Sequence, residues 1–173
     1  MTPEFLRASI RGDIGEAKHL LGWALPGDWP DVLPVLKLRL RQLEADSSLQ
    51  PWLLRAMILP GAGRMIGHVG FHSAPGASYL SDWGDSAVEL GVSVVPEFQR
   101  QGYARESVLG LMRWARDLHG VGQFVVSVGR TNEASRRLFS NLGFRRVAEH
   151  VDEIDGVEDV SVLDVSAPNL LGL

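Results

Sequence analysis

Between Val88 and Arg105 the chain reads Val-Glu-Leu-Gly-Val-Ser-Val-Val-Pro-Glu-Phe-Gln-Arg-Gln-Gly-Tyr-Ala-Arg. An apolar strand that stops at a proline, turns and feeds a helix leaves few architectures open, because it demands a sheet with helices packed on it. The first helical turn carries a glycine between two arginines. Helix N-termini leave backbone N–H groups unpaired and bear a partial positive charge, so such a junction can hold a phosphate. Gly102 allows close backbone approach, and Arg100 and Arg105 add full charges. The same letters also suit a plain strand-to-helix turn with glycine as a convenience.

Around this junction, the pattern predicts a first strand at Glu4–Ile10, stopped by Arg11-Gly12. A short helix towards Leu21 follows, with Asp13 as N-cap and Glu16 three residues later. Val32, Val35, Leu36, Leu40 and Leu43 fall at helical spacing and give a second helix that ends before Asp46-Ser47-Ser48. Trp52–Leu59 and Arg64–His72 form a hairpin about Pro60-Gly61-Ala62-Gly63, and Ser86–Val95 is a further strand. The Ser-, Gly-, Pro- and Asp-rich run 73–85 reads as a long loop, a type that is often functional. A helix over Gly102–Leu118 carries the partial apolar stripe Val108, Leu109, Met112, Ala115 and Leu118. Then come a strand Gln123–Val128, a helix Asn132–Leu142, and strands Phe144–His150 and Val157–Val165. This order implies an α/β chain with one mixed sheet and helices on both faces, in a single domain over 1–166 with a tail at 167–173.

A chain of 173 residues, 45 % hydrophobic, needs no disulfide or metal staple. Cysteine is absent, which excludes a disulfide framework, a Cys-ligated metal and a cysteine nucleophile. No basic stretch followed by an apolar core opens the chain and no apolar run could span a bilayer, so a cytoplasmic protein without membrane contact is expected. The net charge of -4 argues against a surface built for nucleic acid. Between Arg100 and Arg146 there are nine arginines against three acids, whereas Glu149 to Asp164 holds seven acids and no Lys or Arg. The asymmetry suggests a region for an anionic ligand and another that attracts a cation, or simply two solvated faces of opposite sign.

Neither G-x-x-x-x-G-K-[ST] nor G-x-G-x-x-G occurs, so nucleotide hydrolysis and hydride transfer lack their usual motifs. Gln99-Arg100-Gln101-Gly102-Tyr103-Ala104, led in by Pro-Glu-Phe, instead resembles the [QR]-x-x-G-x-[GA] signature of the GNAT superfamily of acyl-CoA-dependent N-acetyltransferases. Asn132 to Phe144 is similar to the N-x-x-S-x-x-x-[FY]-x-x-L-G-F pattern of the branch that acetylates ribosomal-protein N-termini. The resemblance is close over Val88 to Phe144 and loose in the N-terminal third.

The resemblance implies a mostly antiparallel sheet with a splayed parallel strand pair. It implies acetyl-CoA as cosubstrate, with the pantetheine arm on the backbone of Val92, Ser93 and Val94 and the pyrophosphate on Arg100, Gln101, Gly102, Tyr103, Ala104 and Arg105. Asn132 matches a position that contacts the cofactor, although Asn132 or Thr131 before a helix is also an ordinary N-cap. No metal is implied. Glu89 matches the strand glutamate that many members use as base, and strand parity puts Gly91 and Ser93 beside it and Leu90, Val92 and Val94 opposite. Should Glu89 not be the base, His72 and the acids of 82–85 stand next. Many relatives carry a tyrosine acid where this chain has Phe139; Ser135, one turn earlier, could reach the departing sulfur, or could serve only the helix backbone. Tyr103 and Tyr79 are weaker candidates.

His68 and His72 share a strand face by parity, which suits a metal pair or two ordinary strand residues. Trp83, between Asp82 and Asp85, suits either a cationic amine or a loop anchor. The expected function is transfer of acetyl to a primary amine by direct attack in a ternary complex. A protein N-terminus, a polyamine, an amino acid and an aminoglycoside-like antibiotic all remain as acceptors. A non-catalytic acyl-CoA-binding or ribosome-associated module is the alternative, and an RNA-binding role lacks interleaved aromatics.

Overall fold

The computed structural model describes residues 1–152 and 156–166; the expected tail at 167–173 and part of the acidic run lie outside them. Five α-helices and six strands follow in the order α1 (Pro3–Ile10), α2 (Ile14–Leu21), α3 (Leu33–Ala45), β1 (Arg55–Leu59), β2 (Arg64–Phe71), β3 (Val88–Val94), α4 (Tyr103–His119), β4 (Gln123–Gly129), α5 (Glu133–Asn141), β5 (Arg145–Asp152) and β6 (Gly156–Asp164). The sheet order is β1-β2-β3-β4-β6-β5. It is mostly antiparallel with one parallel pair, β3 with β4, and helices surround it, which is the fold class expected. No described helix is long and apolar enough to cross a membrane.

By contacts the chain forms two compact units, Met1–Phe71 with Val92–Val108, and His72–Gly91 with the chain from Leu109 onward. In the first, the expected strand at Glu4–Ile10 is instead the helix α1. Thr2 caps it by accepting the Phe5 N–H at 3.3 Å, and Pro3 occupies the first helical position, where a missing N–H costs nothing. Phe5, Leu6 and Ser9 then share one buried face, which a strand would split between two. Asp13 caps α2 as expected, accepting the Glu16 N–H at 3.0 Å, and left-handed Gly22 ends it. Phe5, Leu6, Leu36, Leu43, Leu53 and Met65 form the core of this unit, with the β1/β2 hairpin turning at Pro60–Ala62. The first strand of the hairpin starts only at Arg55, because Trp52 to Leu54 are buried in irregular chain.

In the second unit β4, β6 and β5 form an antiparallel ladder, and Leu80, Ala87, Val125 and Val160 pack together. Phe139 on α5 meets Phe144 edge-on with centroids 5.2 Å apart. Val108, Met112 and Ala115 are fully buried along α4, but the expected stripe does not reach Leu118, which is 71 % exposed in the last turn. Asp159 on β6 is buried and accepts from Arg146 Nε at 2.8 Å, with Arg130 Nε and Arg136 Nε each 3.6 Å away; Glu149 pairs with Arg130 and Arg146.

Arg146 above all holds the Asp159 carboxyl below its usual range. A depressed carboxylate contributes fully above its unfolded pKa and loses that contribution as pH falls through the folded value. Asp159→Asn is therefore expected to lower the melting temperature at neutral pH and to flatten its decline on acidification. Calorimetric scans from neutral to acid pH check this, and superimposable curves for the two proteins would refute it.

Candidate active site

Glu89 lies on β3 between Val88 and Leu90, which are buried on the opposite face, and only 11 % of its side chain is exposed. A carboxylate so dry needs donors. Ser127 Oγ on β4 donates to Oε1 at 2.7 Å, which the parallel register explains: Glu89 pairs with Val125, and Ser127 is the next residue on the same face. His72 Nδ1 lies 3.2 Å from Oε2, and the His72 backbone N–H donates to the Glu89 carbonyl at 2.8 Å, so this histidine is held by main chain and side chain together. Burial pushes the Glu89 carboxyl up, yet the hydrogen bond from His72 with the charge that ring carries when protonated, the Ser127 hydroxyl and the Tyr79 hydroxyl outweigh it and hold it below its ordinary value.

His72 follows the end of β2 and its ring runs along β3. A Cβ at Gly91 would come 3.0 Å from His72 Nε2, so the lack of a side chain at 91 is what leaves the imidazole its place. Strand parity put Gly91 beside Glu89, and His72 stood with the acids of 82–85 as the next candidate base; nothing local pointed to Ser127, because the signal for it is the register with β4.

The residues expected to hold the pyrophosphate lie in the first unit. After Val95, whose N–H donates to the Ile66 carbonyl at 3.0 Å, a short 3-10 turn spans Pro96–Phe98. Gln99 Nε2 donates to the Val94 carbonyl at 2.8 Å and Gln101 Nε2 to the Glu97 carbonyl at 3.2 Å, folding the loop on itself. Arg64 ties it to β2 through Glu97 at 2.9 Å and lies over the Phe98 ring. Arg100 has φ 62° and Gly102 φ 88°; such left-handed residues turn neighbouring N–H groups into a concave anion site, and a non-glycine residue at positive φ is strained. Nothing lies within 4 Å of where a Gly102 Cβ would be, so the conformation, and not crowding, requires glycine. Arg100, Gln101 and Arg105 are exposed, Tyr103 and Ala104 half-buried at the helix start. Val92 and Val94 are half-buried and Ser93 exposed, while the β3/β4 ladder covers only Val88 with Phe124 and Glu89 with Val125.

On α5, Asn132 is an N-cap: its Oδ1 accepts the Ser135 N–H at 3.1 Å, and its amide NH2 belongs to an exposed residue. Ser135 is half-buried and its hydroxyl is not the cap. Phe139 is 5 % exposed and lines a cavity of about 540 Å³ together with Val126, Val128 and Phe144. Tyr79, 55 % exposed, has its hydroxyl 3.5 Å from Ser73 Oγ. Trp83 packs against the Leu80–Val125 cluster, which makes it a loop anchor. His68 is separate from His72 in role: it stands edge-on to Trp29, and burial with nearby Arg39 lowers its pKa to about 4. The arginine excess of the sequence is partly spent in space, since Arg130, Arg136 and Arg146 are paired with Asp159 and Glu149.

No curated protein matches this sequence. Among solved structures, the ribosomal-protein-S5-alanine acetyltransferase from Vibrio fischeri is similar at 15 % identity, over 95 % of this chain and 90 % of that one, with a TM-score of 0.62. A putative ribosomal-protein-serine acetyltransferase from Vibrio cholerae is similar at 14 % identity, over 95 % and 90 % of the two chains, TM-score 0.59. The yncA putative acetyltransferase from Salmonella typhimurium, solved with its cofactor acetyl-CoA, shares 24 % identity over 78 % of each chain, TM-score 0.57. At these identities the likeness is one of fold. The model of the acetyltransferase (GNAT) domain matches residues 17–145, well over half of the sequence, and the chain therefore belongs to the GNAT acetyltransferase family.

Proposed function

We propose that this protein is a cytoplasmic N-acetyltransferase that moves acetyl from acetyl-CoA to a primary amine by direct attack in a ternary complex. The observation that carries the reading is the content of one strand. β3 bears a desolvated, ionised carboxylate at Glu89 and runs through Val92–Val94 into a loop whose left-handed Arg100 and Gly102 suit a pyrophosphate. Acetyl-CoA would lie with its pyrophosphate on Arg100 to Arg105 and its pantetheine along Val92–Val94, whose backbone lies outside the β3/β4 ladder. On this reading Asn132 is a further cofactor contact, as the motif resemblance implies. The amine proton leaves towards the Glu89 cluster, and Ser135 donates to the departing sulfur where Phe139 has no proton to give. With no cysteine in the chain, the usual covalent acyl carrier is missing and direct attack is the simpler route.

Acetyl-CoA is expected to raise the melting temperature, by about 2.7 kcal/mol of added stability at a hundredfold excess over its Kd. Gly102→Val should lose the shift, because valine at φ 88° is strained and would project where the ligand approaches; an unchanged shift would place the ligand elsewhere.

The acceptor is found by following free thiol over a panel of an N-terminal peptide, a polyamine, an amino acid and an aminoglycoside. On the best acceptor, Glu89→Gln should lower kcat by about a hundredfold or more while leaving the acetyl-CoA Kd near wild type. Wild-type kcat in this variant would make Glu89 structural. Acetyl-CoA binding without turnover of any amine would favour the non-catalytic module.

Because Asn132 and not Ser135 caps α5, Ser135→Ala should change stability by no more than about 0.5 kcal/mol. It should nevertheless slow turnover, and Phe139→Tyr in the same background should restore part of the rate, the cavity beside Phe139 giving its hydroxyl room. A wild-type rate in Ser135→Ala would mean that the thiolate leaves without a side-chain acid.

A further inference from the structure

We infer that His72, and not Glu89, takes the proton from the attacking amine, and that Glu89 is the positioning residue that holds the imidazole in the tautomer this requires. The inference rests on the acetyl-transfer reading above and assigns the proton to an atom.

Both oxygens of the Glu89 carboxylate are engaged, Oε1 by Ser127 at 2.7 Å and Oε2 by His72 Nδ1 at 3.2 Å, and the side chain is only 11 % exposed. A carboxylate stabilised by several donors gains little by accepting a proton. His72 presents a different face to its surroundings: its side chain is 37 % exposed. Because the carboxylate can only accept, the Nδ1 beside it carries the hydrogen of the neutral ring, which makes Nε2 the basic nitrogen. The backbone hydrogen bond from His72 to the Glu89 carbonyl at 2.8 Å sets the base of the side chain, and the missing Cβ at Gly91, 3.0 Å from Nε2, sets the space at its tip. Carboxylate and glycine therefore stand on β3 as orienter and clearance for the imidazole that follows β2. The Glu89 carboxyl, and the Tyr79 hydroxyl beside that carboxyl, are titratable groups close to the ring.

In the step, the lone pair of the neutral amine forms the C–N bond to the thioester carbonyl carbon. The C–S bond breaks with its electron pair on sulfur, and the amine hydrogen passes to His72 Nε2. The imidazolium is stabilised by the Glu89 carboxylate until the proton it took from the amine has passed on, through water, to the CoA thiolate, leaving amide, free thiol and a neutral ring.

The test uses the full chain, acetyl-CoA and the best amine of the panel. His72→Ala is expected to lose about a hundredfold or more in kcat with the acetyl-CoA Kd unchanged, and added imidazole should restore part of the rate. The acid limb of the kcat/KM against pH profile should vanish in His72→Ala but persist in Glu89→Gln. Gly91→Ala forces the ring aside by a few tenths of an ångström and should cost about tenfold in kcat without affecting acetyl-CoA binding. It keeps the inference testable if His72→Ala fails to fold by circular dichroism. A limb that persists in His72→Ala and vanishes in Glu89→Gln makes Glu89 the base and overturns the inference, as does wild-type kcat in both His72→Ala and Gly91→Ala. A wild-type protein that turns over no amine overturns the acetyl-transfer reading, and the inference with it.

Discussion

A buried carboxylate must find donors or lose its charge, and the surroundings of Glu89 are organised by that demand. Its neighbours Val88 and Leu90 commit β3 to burial, so the glutamate between them leaves water with the strand. Ser127 reaches it only because β3 and β4 run parallel in the register that sets Glu89 opposite Val125, and His72 reaches it only because the chain leaving β2 bonds its backbone to the Glu89 carbonyl. A slip of one residue in either pairing would turn these partners to the other face and leave an uncompensated charge. The carboxylate thereby selects one register, and that register lays an imidazole along the strand.

The anion-ready loop obeys a different economy. Its geometry is local, built from two residues at positive φ and side-chain amides of Gln99 and Gln101 that bond back to carbonyls five and four residues earlier. Strain at Arg100 is tolerated because the loop is anchored through Arg64 to Glu97 and Phe98. Function that depends on backbone N–H groups needs this kind of rigidity, since the donors cannot be aimed by rotating a side chain.

Charge behaves less locally. The run of arginines from 100 to 146 and the run of acids after it look in the sequence like two separate faces. In the structure the β4–β6 and β5–β6 ladders bring parts of them together, and Asp159 and Glu149 take up Arg130, Arg136 and Arg146. Arg100 and Arg105, at the end that meets the loop, stay exposed. Part of what reads as a ligand-binding excess is therefore internal ion pairing.

The sequence by itself determined the features written over a few residues of backbone: the Asp13 cap, the Pro60–Gly63 turn, the helix that opens at Gly102, and the signature 99–104 that led to the family. It misled at Pro3–Ile10, where the Thr2-Pro3 start signal is as local as the others but the short apolar run suits either period. Tertiary structure alone decided which of two readings each isolated residue would take. Trp83 became an anchor, His68 a half-buried ring edge-on to Trp29, and His72 the partner of a glutamate 17 positions away in the chain, itself bonded to a serine 38 positions further on. The physical reason is that caps and turns are satisfied by neighbours in sequence, whereas a buried carboxylate and the ring it orients are satisfied by groups that only strand pairing brings within hydrogen-bond reach.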